Sequence, residues 1–185
     1  MEIDAGVLLA ARDHFGFNAE HDPQINSINA DAFEYVQSSE VAENHFDMIF
    51  IDINDETEGA GVNPPLKFFD PGFLNRLVEL CVPEGGLIAL NTIIDGDANR
   101  RKVVQNLKQV QQCVKFSSGM QEELNEVFYL VRGTFDRQAE DRLDDTDVRV
   151  ERMNQVCNAL KLPKALLLPK QKMQVSYHVE QMRKI

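Results

Sequence analysis

The sequence contains no apolar run near the roughly 20 residues that span a bilayer. It opens Met1-Glu2-Ile3-Asp4, so neither a membrane partner nor a secretory leader is expected. Cysteine is scarce: Cys81, Cys113 and Cys157 are far apart, odd in number and form no CxxC pair. A disulfide framework and a structural zinc are therefore not expected, and a reducing, cytoplasmic setting is. Positive charge is also short, with 19 Lys and Arg against 30 Asp and Glu, a formal net charge of −11. Such a surface grips phosphate backbones poorly, so no nucleic-acid partner is expected. The four histidines, His14, His21, His45 and His178, show no metal-ligand spacing, and no metal is assigned. What is present is ordinary: 43% hydrophobic and 26% charged residues in 185, enough for one soluble domain with a core.

Along the first two thirds, short apolar runs alternate with helical patterns. Met1 to Asp4 reads as the end of a buried strand with no strand before it. Leu8, Leu9, Ala11, Arg12 and Phe15 fall at helical spacing, and Gly16 stands at the stopping end. Residues 25–30 alternate as a short strand, and 33–41 read as a helix. Phe46 to Ile53 is the strongest strand signal, apolar almost throughout, as for a strand covered on both faces. Asp70-Pro71 opens a helix whose buried stripe is Phe73, Leu74, Leu77, Val78 and Leu80. Residues 83–86 form a turn and Leu87 to Ile93 another buried strand. Asp95 or Asp97 caps a long helix to about Cys113, with Val103, Val104, Leu107 and Val110 inward. Val114 to Ser117 and Glu126 to Val131 close the series as a hairpin.

The expected fold is an α/β sheet, mostly parallel, with one antiparallel strand at its end. The domain spans residues 1–133. A charged linker follows at 134–147, then a C-terminal extension at 148–185 with a helix ending near Leu160. The tail forms a helix or an added strand. The sequence leaves open a homodimer through it.

In open α/β sheets, ligands bind at the carboxyl ends of the strands. Three successive strand ends carry acids: Glu2, Asp31 and Asp52, the last followed by Asn54 and Asp55. For an adenosine ligand each has a role. Glu2 can accept from both ribose hydroxyls. Asp31 can accept from the adenine amino group while the Ala32 N–H donates to a ring nitrogen. Asp52 faces the reacting group. The competing role for Asp31 is to cap the helix that opens at Ala32.

Met1 to Asp4, His14 to Phe17, Asn29 to Tyr35 and Phe46 to Asp52 together resemble the class I S-adenosylmethionine-dependent methyltransferases of the spermidine-synthase-like branch. Asn63-Pro64-Pro65, Phe73-Leu74, residues 83–86, Leu90-Asn91 and Asn125-Glu126-Val127 resemble more narrowly the C-terminal domain of the methyltransferase-like thirteen family. That family acts on a lysine and the N-terminus of translation elongation factor 1-alpha. The resemblance implies a Rossmann-like sheet and S-adenosylmethionine as cofactor, with Glu2, Asp31 and Ala32 binding it and Asp52 and Asp55 catalytic. It implies a protein substrate, elongation factor 1-alpha. Aminopropyltransferases of the branch continue after the matching aspartate with Ser-Ser-Asp-Pro. Here Ile53-Asn54-Asp55-Glu56 follows, which favours methyl transfer. Asn63-Pro64-Pro65-Leu66 departs from the NPPY motif of nitrogen methyltransferases in position and in its fourth residue, and reads as a rigid loop.

The family's first strand and its GxGxG turn do not occur in this sequence. In the fold that strand lies mid-sheet. The expectation is therefore a C-terminal fragment of a longer domain, weak or inactive alone. Two other readings stay open: an aminopropyltransferase, and a non-catalytic scaffold derived from the methyltransferase fold.

Overall fold

The structure, a computed structural model, describes residues 1–17, 22–41, 43, 45–54, 61–83, 85–119, 125–133 and 182–184. They belong to two compact units, Met1–Ala42 and Glu43–Ile185. The expected linker at 134–147 and nearly all of the tail lie outside the described residues. No helix among the described residues is long and apolar enough to cross a membrane.

In the first unit, Asp4 caps helix α1 (Ala5–Phe15). Its Oδ1 accepts from the Gly6 N–H at 2.7 Å, meeting one of the first-turn donors a helix cannot satisfy itself. Gly16 ends α1 at φ 71°, in the left-handed region that glycine enters without Cβ strain. The expected strand at 25–30 shrinks to one parallel bridge between Asn29 and Glu2. The Glu2 N–H donates to the Ile28 carbonyl at 3.0 Å, and the Ala30 N–H to the Glu2 carbonyl at 3.1 Å. Apart from Ile25 and Ile28 this stretch is polar or small, so it offers little side chain for a sheet to bury. Asp31 caps helix α2 (Ala32–Gln37), which is shorter than the pattern suggested. Val36 and Val41 are buried, but α1 buries no residue, and Phe15 on its expected inward face is 84% exposed.

The second unit is built on strand β3 (Leu87–Ile94). On one edge β3 pairs in parallel with β1 (Met48–Ile51) over residues 87–90. Further along the same edge it pairs antiparallel with the short β2 (Val62–Asn63) at Ile93 and Ile94. On the other edge it pairs antiparallel with β5 (Asn125–Arg132). β5 in turn pairs antiparallel with β4 (Cys113–Gly119), which carries β6 (Met182–Lys184) on its far side. Because β5 opposes both β3 and β4, the strands β1, β3 and β4 all run one way and β5 runs against them. This is the expected α/β sheet, with the hairpin of the last two strands folded inward. Tail residues Met182–Lys184 contribute a strand.

One face of this sheet is covered by helix α3 (Pro71–Leu80), helix α4 (Asp97–Gln109) and a single 3₁₀ turn (Leu66–Phe69). Ile88, Leu90, Thr92 and Ile94 of β3 point to that face with Phe128 and Leu130 of β5, and all are buried. The α3 stripe anticipated from spacing, Phe73, Leu74, Leu77, Val78 and Leu80, is buried throughout. Asp70 caps α3 through Oδ1, accepting from Gly72 at 2.8 Å and Phe73 at 3.1 Å, with Pro71 in the first turn. The α4 cap differs from expectation. It is Gly96, at φ 80°, with no side-chain hydrogen bond, and Asp97 lies inside the first turn, where its charge suits the helix dipole.

The other face is closed at Leu87 and Ala89 and opens toward the carboxyl end of β3, where Ile93 is 48% exposed. Phe50, opposite Ala89, is 67% exposed. The apolar run at 46–53 is therefore covered on one face, not two.

Two contacts lock the unit from behind. The Arg132 guanidinium at the end of β5 donates to the carbonyls of Glu79 and Cys81, at the carboxyl end of α3. A Cβ on Gly86 would come within 2.6 Å of both the Cys81 Cβ and the Val82 carbonyl oxygen. Gly86→Ala must displace backbone, so unfolding in denaturant should show a loss of about 1–3 kcal/mol with no change in fold. Leu77→Ala, at a fully buried position, should cost about 2–5 kcal/mol in the same measurement.

Candidate functional site

In the first unit the Glu2–Asn29 bridge sets two strand segments side by side and in parallel. Glu2 and Asp31 therefore stand at the same, carboxyl ends of neighbouring segments. Asn29 fixes the pair further, its Nδ2 donating to the carbonyls of Glu2 and Ile3 at 2.9 Å each. Glu2 is half-buried, and its Oε1 accepts from the Asp4 N–H at 2.9 Å. Its other oxygen has no partner among the described residues. Asp31 Oδ1 accepts from the Phe33 N–H at 2.7 Å, so this carboxylate does cap α2. Ala32 is the first residue of that helix, where backbone N–H groups have no intrahelical partner.

These residues fit the adenosine half of S-adenosylmethionine. Glu2 presents a carboxylate oxygen of the kind a ribose diol seeks, and the start of α2 presents a backbone donor of the kind a ring nitrogen seeks. Glycines suited to a close backbone approach to the methionine half are not found in this sequence.

In the second unit, β1 ends at Ile51 opposite Leu90 of β3. Continuing that register sets Asp52 opposite Asn91. The side chains meet there: Asn91 Nδ2 donates to Asp52 Oδ1 at 2.9 Å. Asp52 is exposed and Asn91 half-buried. On the same open face, one rung further, Asn63 of β2 and Asn125 of β5 flank Ile93. The carboxyl end of β3 thus carries a polar group of one acid and three amides, beyond the apolar Leu87 and Ala89 of the same face. Sequence reasoning quoted Asn91 and Asn63 as resemblances but assigned neither a role. The signal that could have found Asn91 is its place in the apolar run Leu87–Ile94, where a carboxamide needs a partner. Asp55, the other expected catalytic acid, lies outside the described residues.

Behind this end, Arg100 of α4 holds Glu126 of β5 in a two-pronged pair. Nε donates to Oε2 and a terminal nitrogen to Oε1, both at 2.8 Å. The pair pushes the Arg100 pKa further up, chiefly through that hydrogen bond. The buried Thr92 hydroxyl donates to the Glu126 carbonyl. Arg100 is therefore committed to the fold, whereas its neighbour Arg101 is exposed on the helix surface.

Among the described residues no cluster of His, Cys, Asp and Glu is arranged to hold a metal ion. Cys81 is fully buried, and burial pushes its thiol up to about 12. Cys113 is raised for the same reason. At pH 8 the Cys81 thiolate fraction is roughly one in ten thousand. Alkylation of the folded chain followed by mass spectrometry should leave Cys81 unmodified until denaturant is added.

No protein-family model matches the chain. A zebrafish (Danio rerio) eEF1A lysine and N-terminal methyltransferase is 30% identical over 136 residues, 72% of this chain and 19% of the relative. A homologue from Drosophila melanogaster is 26% identical over 130 residues, 70% of this chain and 19% of the relative. The corresponding Bos taurus protein is 26% identical over 132 residues, 70% of this chain and 18% of the relative. The chain thus spans about a fifth of the length of the curated relatives it matches. The crystal structure of human methyltransferase-like protein 13 in complex with SAH superposes with a TM-score of 0.64 at 21% identity, covering 95% of this chain and 75% of that one. By sequence the chain is a relative of the eEF1A lysine and N-terminal methyltransferases, and it has the α/β fold of a methyltransferase.

Proposed function

We propose that the chain is part of an S-adenosylmethionine-dependent protein methyltransferase whose acceptor is an amine, a lysine or a protein N-terminus. The candidate substrate is elongation factor 1-alpha, which the relatives' names specify. The observation that carries the reading is the Asp52–Asn91 pair at the carboxyl end of the parallel strands β1 and β3. That is where open α/β sheets bind ligands, and a carboxylate there suits a cationic amine. The net charge of −11 supports the same class of acceptor.

Glu2 and the Ala32 N–H would hold the adenosine half of the cofactor. When bound, S-adenosylmethionine supplies a methyl group on a sulfonium centre, so the protein need provide no nucleophile of its own. The chain's part is then alignment and proton handling. Asp52 Oδ2 has no partner among the described residues and can accept a hydrogen bond from the incoming ammonium, or its proton. A neutral amine held there presents its lone pair for attack. An aminopropyltransferase would also use an acid here, but Ile53-Asn54 replaces the Ser-Ser that follows that acid in that branch.

The test is a single-turnover assay with the chain in excess over elongation factor 1-alpha and radiolabelled S-adenosylmethionine. Label should appear on the protein acceptor, and Asp52→Asn should cut the rate by about a hundredfold. Glu2→Ala should instead weaken cofactor binding by about tenfold in calorimetry, with little effect at saturating cofactor. Absence of transfer by a wild-type chain that binds the cofactor in calorimetry overturns the reading and leaves the scaffold alternative. A polyamine product from decarboxylated S-adenosylmethionine and putrescine would favour the aminopropyltransferase.

A further inference from the structure

We infer that the rung Asn63–Ile93–Asn125, next to the Asp52–Asn91 pair, grips the main chain of the protein acceptor and holds it as a single extended segment. The inference rests on the methyltransferase reading above and names how its acceptor is held. Asn63 of β2 and Asn125 of β5 both stand in register with Ile93 of β3. Residues paired in this way across antiparallel strands project to the same face. Ile93 is half-exposed on that face, Asn125 is exposed and Asn63 is half-buried. Two carboxamides therefore stand on either side of an apolar floor.

At this rung both edges of β3 are taken, by β2 and by β5. A ligand arriving on the face cannot add to the strand and meets side chains alone. A carboxamide carries two N–H donors and an acceptor oxygen, so it can serve both the carbonyl and the N–H of a peptide group. In an extended chain those groups point sideways, while the side chains alternate up and down. Laid over Ile93, such a chain turns its polar groups toward Asn63 and Asn125 and one side chain toward the apolar floor.

The spacing agrees. Neighbouring strands lie about 4.8 Å apart, so the Asn63 and Asn125 backbones are separated by roughly 10 Å across β3. That gap admits one extended chain but not a helix, which is about 10–12 Å wide with its side chains. The Asp52–Asn91 pair lies two residues back along the sheet, about 7 Å away, so a segment held at the rung brings its amine to the acid. Peptide groups are common to all sequences. The rung therefore tolerates varied side chains in the segment it holds and depends on the segment's main-chain N–H groups.

The test reads binding by fluorescence anisotropy. Labelled overlapping peptides that tile elongation factor 1-alpha are titrated with the wild-type chain, and the tightest binder is remade with single backbone N-methyl groups, each removing one peptide N–H. N-methylation at one or two neighbouring positions should weaken binding by about tenfold, and alanine side chains at those positions should matter less. Asn125→Leu should weaken the unmodified peptide by about tenfold with the melting temperature unmoved. In that variant, N-methylation at one of the sensitive positions should cost nothing further, the non-additivity expected of groups in contact. A merely structural effect would lower the melting temperature and leave every N-methyl loss additive, and that result overturns the inference. So does a flat N-methyl scan, or a wild-type chain that binds none of the peptides. A chain that binds both peptide and cofactor yet transfers no methyl group overturns the methyltransferase reading instead, while its N-methyl scan still supports the grip.

Discussion

The second unit depends on β3 having both of its edges paired. A strand buried among apolar neighbours must satisfy every backbone donor and acceptor from the strands beside it. β3 does so with β1 and β2 on one side and β5 on the other. Each neighbour's register follows from this requirement. Asp52 stands opposite Asn91 because β1 pairs Ile51 with Leu90. Asn63 and Asn125 flank Ile93 because β2 and β5 both reach that rung. The polar group at the end of the sheet is thus a by-product of hydrogen-bond completion in the middle of it.

The two faces of β3 then divide the labour. Ile88, Leu90, Thr92 and Ile94 anchor the strand beneath α3, α4 and the 3₁₀ turn, where burial supplies the stabilisation. Ala89, Asn91 and Ile93 point the other way, toward a face that becomes more exposed with each step to the carboxyl end. Arg100 and Glu126 reinforce that end from the helix side, and Thr92 joins them through the Glu126 carbonyl. An amide and a carboxylate at the exposed end need not bear the cost of full burial, while the strand carrying the amide is held in place from behind.

Much of this was legible in the sequence because it rests on local chemistry. The Asp70 cap, Pro71 and the spacing of Phe73 to Leu80 define α3 without reference to anything distant. The apolar runs at 46–53 and 87–93 and the closing hairpin are equally local. Three of the features that differ from the sequence pattern do so for identifiable reasons. The pattern in α1 indicates which face is apolar but not whether anything covers it, and Phe15 is exposed. Alternation at 25–30 looks like a strand, yet its side chains are too polar and too small to hold more than one bridge. Acids near position 96 suggested a side-chain cap, but a glycine at φ 80° turns the chain there without one. Of the candidate site, the acids themselves were legible from their strand-end positions. The Asn91–Asp52 contact was not, because it joins residues 39 apart and follows only from the sheet register.

Arg132 has a temporal meaning as well as a structural one. Its guanidinium secures the carboxyl end of α3 from more than fifty residues further along the chain. When α3 first emerges during synthesis, the carbonyls of Glu79 and Cys81 lack the Arg132 donor, and they do so until β5 has been made and docked. The helix with the clearest local signal is therefore finished by the last strand of the core. Closing so long a loop is the slow kind of step in folding. An interruption of the chain between residues 82 and 131 would leave the Glu79 and Cys81 carbonyls without the Arg132 donor.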